Sequence, residues 1–144
     1  MVNSCVFCSI IEGKTSSYKV FEDEKTLAFL DIHPSALGHT LIIPKVHIAK
    51  IEDLEKEDAE ALFRTLYLLA GGIQQALGAP AITIGINNGK ESGQEIPHVH
   101  IHMIPRARGD RGGIIQGITR TIGRPNQDQM NNIAKKLRNQ FYKE

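Results

Sequence analysis

The chain has 144 residues, of which 41% are hydrophobic and 23% charged. That size and balance fit one folded domain and exclude a disordered, collagen-like or coiled-coil chain. Seventeen Lys and Arg offset sixteen Asp and Glu for a net charge of +1, so neither nucleic acid nor a membrane surface is an expected partner.

The predicted elements run as follows. Residues 5–12 read as one or two helical turns ended by Gly13. Strands are expected over 18–22 and 26–32, joined by the polar turn Glu22-Asp23-Glu24-Lys25. Pro34 and Gly38 mark a loop, and Thr40-Leu41-Ile42-Ile43 is an apolar strand stopped by Pro44. One long helix is expected over 53–77, where Leu62, Leu66, Leu69, Ile73 and Leu77 recur at spacings of three and four. Acids crowd its first turns, the end that the helix dipole favours for them. Residues 81–87 form another strand, 88–94 a Gly-bearing polar loop, and 98–104 the last strand. Residues 106–125 read as an extended arm and 126–142 as a helix. Five strands and one major helix give an α+β domain with an antiparallel sheet. It spans 1–144, with a core over 1–105 and a C-terminal arm and helix over 106–144. No apolar run approaches the ~20 residues of a membrane span. No basic stretch leads into an apolar core at the N-terminus. A cytoplasmic chain is expected.

The informative segment is His98-Val99-His100-Ile101-His102-Met103-Ile104. Strict alternation puts three imidazoles on one strand face and Val99, Ile101 and Met103 on the other. His98 and His102 stand ~13 Å apart along such a strand, so one metal ion cannot take all three. A division of labour is the better reading. The loop Asn87 to Gln94 runs directly into these histidines. Its glycines allow backbone N–H groups to converge on an anion. An anion nest beside imidazoles suits phosphoryl or nucleotidyl transfer.

Cys5 and Cys8 are the only cysteines and have the spacing of half a zinc site. Two histidines must complete it: His33, His39 and His47 are the upstream candidates, with His98 at the start of the triad strand, and Cys5, Cys8, His47 and His98 would make a closed, structural set. The same cysteines could instead be small buried hydrophobes or a redox pair.

These segments resemble the histidine triad family of nucleotide-binding proteins. The resemblance rests on the complete triad signature, on Phe29-Leu30-Asp31-Ile32, on Gly38 to His47, and on Asn87, Gly93 and Gln94. It implies a five-stranded antiparallel sheet that pairs in a homodimer as a continuous ten-stranded sheet. The apolar strand 81–87, a liability if left as an exposed edge, points the same way. The implied activity is hydrolysis of a purine nucleotide conjugate, either a dinucleoside polyphosphate or a nucleoside phosphoramidate. His100 attacks the α-phosphorus, and water then releases the nucleoside monophosphate. The implied catalytic set is His100, His102 and His39. Asn87, Gly93, Gln94, Glu95, His100 and His102 surround the phosphate, Asp31 accepts from the ribose, and Phe7, Ile10, Phe29, Leu30, Ile32 and Leu41 enclose the purine. Relatives with Cys-x-x-Cys imply zinc on Cys5, Cys8, His47 and His98, with His98 also able to orient His100 through its backbone. The alternative is a module that holds nucleotide with little turnover. Glu95 departs from the pattern, since many members carry Ser or Thr there. Its carboxylate is expected to face solvent or to pair with Arg106, Arg108 or Arg111, on an arm from Arg106 to Arg124 that borders the pocket.

Overall fold

The computed structural model describes residues 4–119 and 123–142. Contacts divide it into two units, Met1–Gly112 and Gly113–Glu144. The first unit holds helix α1 (Val6–Ile11), strands β1 (Lys19–Glu22), β2 (Thr26–Leu30) and β3 (Thr40–Pro44), helix α2 (Lys56–Leu77), and strands β4 (Ala81–Gly85) and β5 (Ile101–Arg106). The strands form one antiparallel sheet in the order β1-β2-β3-β5-β4, with β4 at an edge. The second unit holds helix α3 (Gln127–Phe141), capped by the Asn126 side chain, which accepts from the backbone of Gln129. Residues 120–122 of the expected arm lie outside the described residues. No described helix is long and apolar enough to cross a membrane.

The inner strands β2 and β3 are buried on both faces, and the pleat sorts the residues. Leu27 and Phe29 of β2 and Leu41 and Ile43 of β3 pack with Cys5, Phe7 and Ile10 of the α1 segment. Their alternates Ala28 and Ile42 pack with Leu62 and Ile73 of α2, joined by Val99, Ile101 and Met103. Period-two alternation delivers neighbouring residues to opposite layers. A buried hydroxyl pair adds a polar tie between α2 and β2. Thr65 Oγ1 lies 2.7 Å from Thr26 Oγ1, which in turn donates to Asp23 Oδ1 at 3.0 Å.

Two boundaries differ from expectation by three residues. The long helix begins at Lys56. Residues Ile51–Asp53 form a separate 3-10 turn, and Leu54 is extended with ψ 143°. Leu54 packs against the α2 cluster, and that apolar contact competes with continuing the helix. The last strand begins at Ile101 and runs to Arg106. β3 and β4 supply ladder partners only from Ile101 and His102 onward. Residues 98–100 instead bond to irregular segments, as when the Val99 N–H donates to Ile48 O at 2.8 Å.

Candidate active site

A pocket of about 520 Å³ opens on the α1 side of the sheet, within the ~300–1,000 Å³ range usual for small-molecule sites. Its apolar wall is Val6, Phe7, Ile10, Phe29, Leu30, Ile32, Leu41 and Ile96, and its polar side includes Asp31, Asn87, Gly93, Glu95, His100 and His102. Every residue expected at the purine and ribose is therefore gathered here. Val6, Ile96, His33 and the run Thr15-Ser16-Ser17 also line it. They sit on irregular segments and a short helix, where no sequence periodicity marks a face.

Two expected residues do not line the pocket. The Gln94 side chain accepts from the Gly89 N–H at 2.8 Å and donates to Ala49 O at 2.7 Å and Ile96 O at 3.0 Å. It braces the loop, because a long amide can satisfy three backbone groups that no strand pairs. Gly93, at φ +97°, takes a left-handed conformation that other residues rarely adopt. His39 is 4% exposed and stands behind His102, with 2.9 Å between His39 Nε2 and His102 Nδ1.

Hydrogen-bond partners fix the proton positions. The Ser35 N–H donates to His39 Nδ1 at 3.0 Å. A neutral His39 therefore carries its proton on Nε2 and donates to His102 Nδ1. His102 must then bear its own proton on Nε2. His100 Nδ1 lies 2.8 Å from His98 O. A carbonyl only accepts, so Nδ1 holds the hydrogen and Nε2 keeps its lone pair. Phe7 meets the His100 ring edge-to-face at 5.1 Å, and His102 meets it at 4.9 Å.

Burial pushes the His39 ring below its usual range, and lowers His102 to about 4 with help from His100 and His39. Both rings are neutral near pH 7. An unfolded chain protonates them near ~6.5, whereas the folded chain resists until about 4 at His102. Between those values the unfolded state binds more protons. Stability is thus full above ~6.5 and is lost as pH falls toward 4. The unfolding free energy of the parent, measured by urea titration, should drop between pH 7.5 and 4.5 by on the order of 2 kcal/mol more than that of His102→Asn. Parallel pH profiles would remove His102 from this account.

A second cluster lies at the base of α1. Cys5 and Cys8 Sγ, His47 Nδ1 and His98 Nδ1 all fall within 4.8 Å of one another. His98 Nε2 donates to Pro44 O at 2.8 Å, leaving Nδ1 unprotonated and aimed at the cysteines. Zinc–nitrogen bonds of ~2.0–2.1 Å and zinc–sulfur bonds of about 2.3 Å put the donors of a regular tetrahedron roughly 3.3–3.8 Å apart. The separations are 3.3 Å for Cys8–His47 and His47–His98, 3.5 Å for Cys5–His98 and 3.7 Å for Cys8–His98. These residues fit a closed tetrahedral ion. Without one, burial and the neighbouring Cys5 push the Cys8 thiol up to about 11. Asp31, His39 and His102 also converge within 4.8 Å. There the Ser35 amide holds the proton on His39 Nε2, which donates it to His102 Nδ1 at 2.9 Å with Asp31 Oδ2 3.7 Å away, so the trio does not present three free lone pairs to a metal.

A model of the HIT domain matches residues 12–109. The chain belongs to the HIT family. The HIT protein is 40% identical over 108 residues to an adenylylsulfatase, HINT3, of Arabidopsis thaliana, covering 75% of its own length and 55% of the plant protein. It is also 40% identical over 114 residues to the adenosine 5'-monophosphoramidase HNT1 of Saccharomyces cerevisiae, covering 79% of this chain and 69% of that one. Its fold matches the crystal structure of SMU.412c from Streptococcus mutans with a TM-score of 0.88 at 33% identity, over 98% of this chain and 87% of that one. A zinc-bound histidine triad family protein from Mycobacterium smegmatis matches with a TM-score of 0.71 at 31% identity, over 96% and 95% of the two chains.

Of the two places expected for Glu95, solvent or an arginine, it takes the first. Glu95 is exposed and lines the pocket. Arg106, the last residue of β5, pairs with Asp110 at 2.8 and 3.0 Å and with Thr83 Oγ1 at 3.0 Å. None of Arg106, Arg108 or Arg111 lines the pocket.

Proposed function

We infer that this HIT protein hydrolyses a purine nucleoside monophosphate conjugate through a covalent nucleotidyl-His100. The observation that carries the reading is the bond from His100 Nδ1 to His98 O, which leaves the Nε2 lone pair for the pocket. Nε2 attacks the α-phosphorus and the bond to the leaving group breaks. Water then cleaves the nucleotidyl-imidazole and releases the monophosphate. His102 Nε2–H, Asn87 and the backbone of Gly93 and Glu95 are the donors for charge developing on the phosphate oxygens. His39 acts through His102 as a positioning residue. Asp31 takes the ribose, and Phe7, Ile10, Phe29, Leu30, Ile32 and Leu41 take the base. The adenylyl substrates named for the plant and yeast relatives support the nucleotide class.

Zinc belongs to Cys5, Cys8, His47 and His98 as a structural ion. It pins the short α1 segment, and with it Phe7 and Ile10, to the sheet. The test of function is turnover of adenosine 5'-phosphoramidate by purified protein. Steady release of AMP with trapping of a labelled adenylyl group on His100 supports the reading. Tight AMP binding with no turnover would replace it by the nucleotide-holding module.

A homodimer is also proposed. β4 is a sheet edge, and an uncovered edge invites pairing. Light scattering should give twice the chain mass, and a mass of one chain at every concentration would exclude it.

A further inference from the structure

We propose that the Glu95 carboxylate selects the leaving group of this HIT protein, favouring amines that carry a second, positively charged group and disfavouring anionic ones. The proposal rests on the nucleotide-conjugate reading above and deepens it. The described residues lining the pocket include two acidic ones, Asp31 and Glu95, and no Lys or Arg. Asp31 is already engaged, accepting from the His33 N–H at 2.9 Å and lying 3.7 Å from His39 Nε2. No ion pair or hydrogen bond among the described residues engages the Glu95 side chain. It shares the loop wall with Asn87, Gly93 and Ile96, beside His100 and His102. Lys90 and Glu91 of the same loop do not line the pocket, so Glu95 is the loop's one charged group there.

The physical consequence follows from sign and exposure. A nucleotide conjugate reaches the site with one phosphate charge already present. A polyphosphate leaving group adds several more and meets no cation in this lining, only a carboxylate. An ammonium-bearing amine gains attraction where the polyphosphate meets repulsion. The carboxylate is solvent-exposed, so the effect is moderate and weakens with salt over the Debye length of ~8–10 Å.

Three AMP phosphoramidates of matched size test the assignment, made from 1,2-diaminoethane (cationic), n-propylamine (neutral) and glycine (anionic). For the parent, kcat/KM should follow the order cationic, neutral, anionic, with an end-to-end ratio of at least about thirtyfold at low salt. Glu95→Gln should shrink that ratio to within about threefold, and Glu95→Lys should invert it. The readout is a ratio within each variant, so a general loss of activity does not disturb it. A parent ratio near one, or a ratio unchanged by Glu95→Gln, overturns the proposal. If no conjugate is cleaved by the parent, the hydrolase reading fails separately. The order of Kd for the three conjugates, measured by calorimetry, then decides for or against Glu95.

Discussion

Replacing His100 with Gln is expected to lower phosphoramidate turnover by about four to six orders of magnitude, the scale seen when the nucleophile of a concerted catalytic set is removed. Glutamine keeps a side-chain N–H that can still reach the His98 carbonyl, and it approximates the volume of the ring. It has no lone-pair nitrogen to form the adduct. The purine wall and Asp31 are untouched, so AMP affinity should stay within a few fold. Turnover within tenfold of the parent would end the covalent reading. A large loss of AMP affinity would instead show that the ring's packing against Phe7, 5.1 Å away, holds the pocket's shape.

Removing the metal should produce the other large effect, and on stability more than on chemistry. Protein purified without added zinc should contain about one equivalent, and Cys5→Ser should retain less than a tenth of that. Structural zinc sites contribute folding energy directly. Losing even ~3 kcal/mol of it lowers Tm by roughly ten degrees for a unit of this size. Cys5 is 6% exposed and belongs to the cluster that holds Phe7 and Leu27. Its loss therefore loosens α1, and KM for nucleotide should rise more than kcat falls. A Cys5→Ser protein with full metal content and an unchanged Tm would refute the site.

Much of this architecture was legible because the pleat is regular. Alternation in residues 98–103 assigned each histidine and each apolar residue to its face. The same alternation overstated the strand, since it reports faces and not ladder partners; β3 and β4 reach only as far as Ile101 and His102. The acids after Glu52 read as a helix start, yet the apolar contact of Leu54 broke the run. The triad's neighbourhood was only partly legible. His39 could be named as part of the site, but its place behind His102 depends on the Ser35 amide, a contact with no sequence signature. Gln94 looks like a phosphate ligand in the sequence and is a brace in three dimensions. Thr15, Ser16 and Ser17 enter the pocket from the irregular stretch before β1, where composition says nothing about direction.

The partner of His100 Nδ1 is a neutral backbone carbonyl, and that choice matters for the second half of the proposed reaction. In a serine-protease triad the histidine is a base, and the carboxylate behind it stabilises the imidazolium that forms. In the proposed reaction the ring must first bond to phosphorus and then leave again. The adduct carries positive charge on the imidazole, and an ionised partner would stabilise it and slow its breakdown. A carbonyl supplies the same alignment without a full negative charge, so the adduct stays a good electrophile for water. The acceptor is also part of the main chain. Side-chain exchange at position 98 can abolish the proposed metal site and still leave the His100 proton where it is, as long as the backbone between β4 and β5 keeps its course.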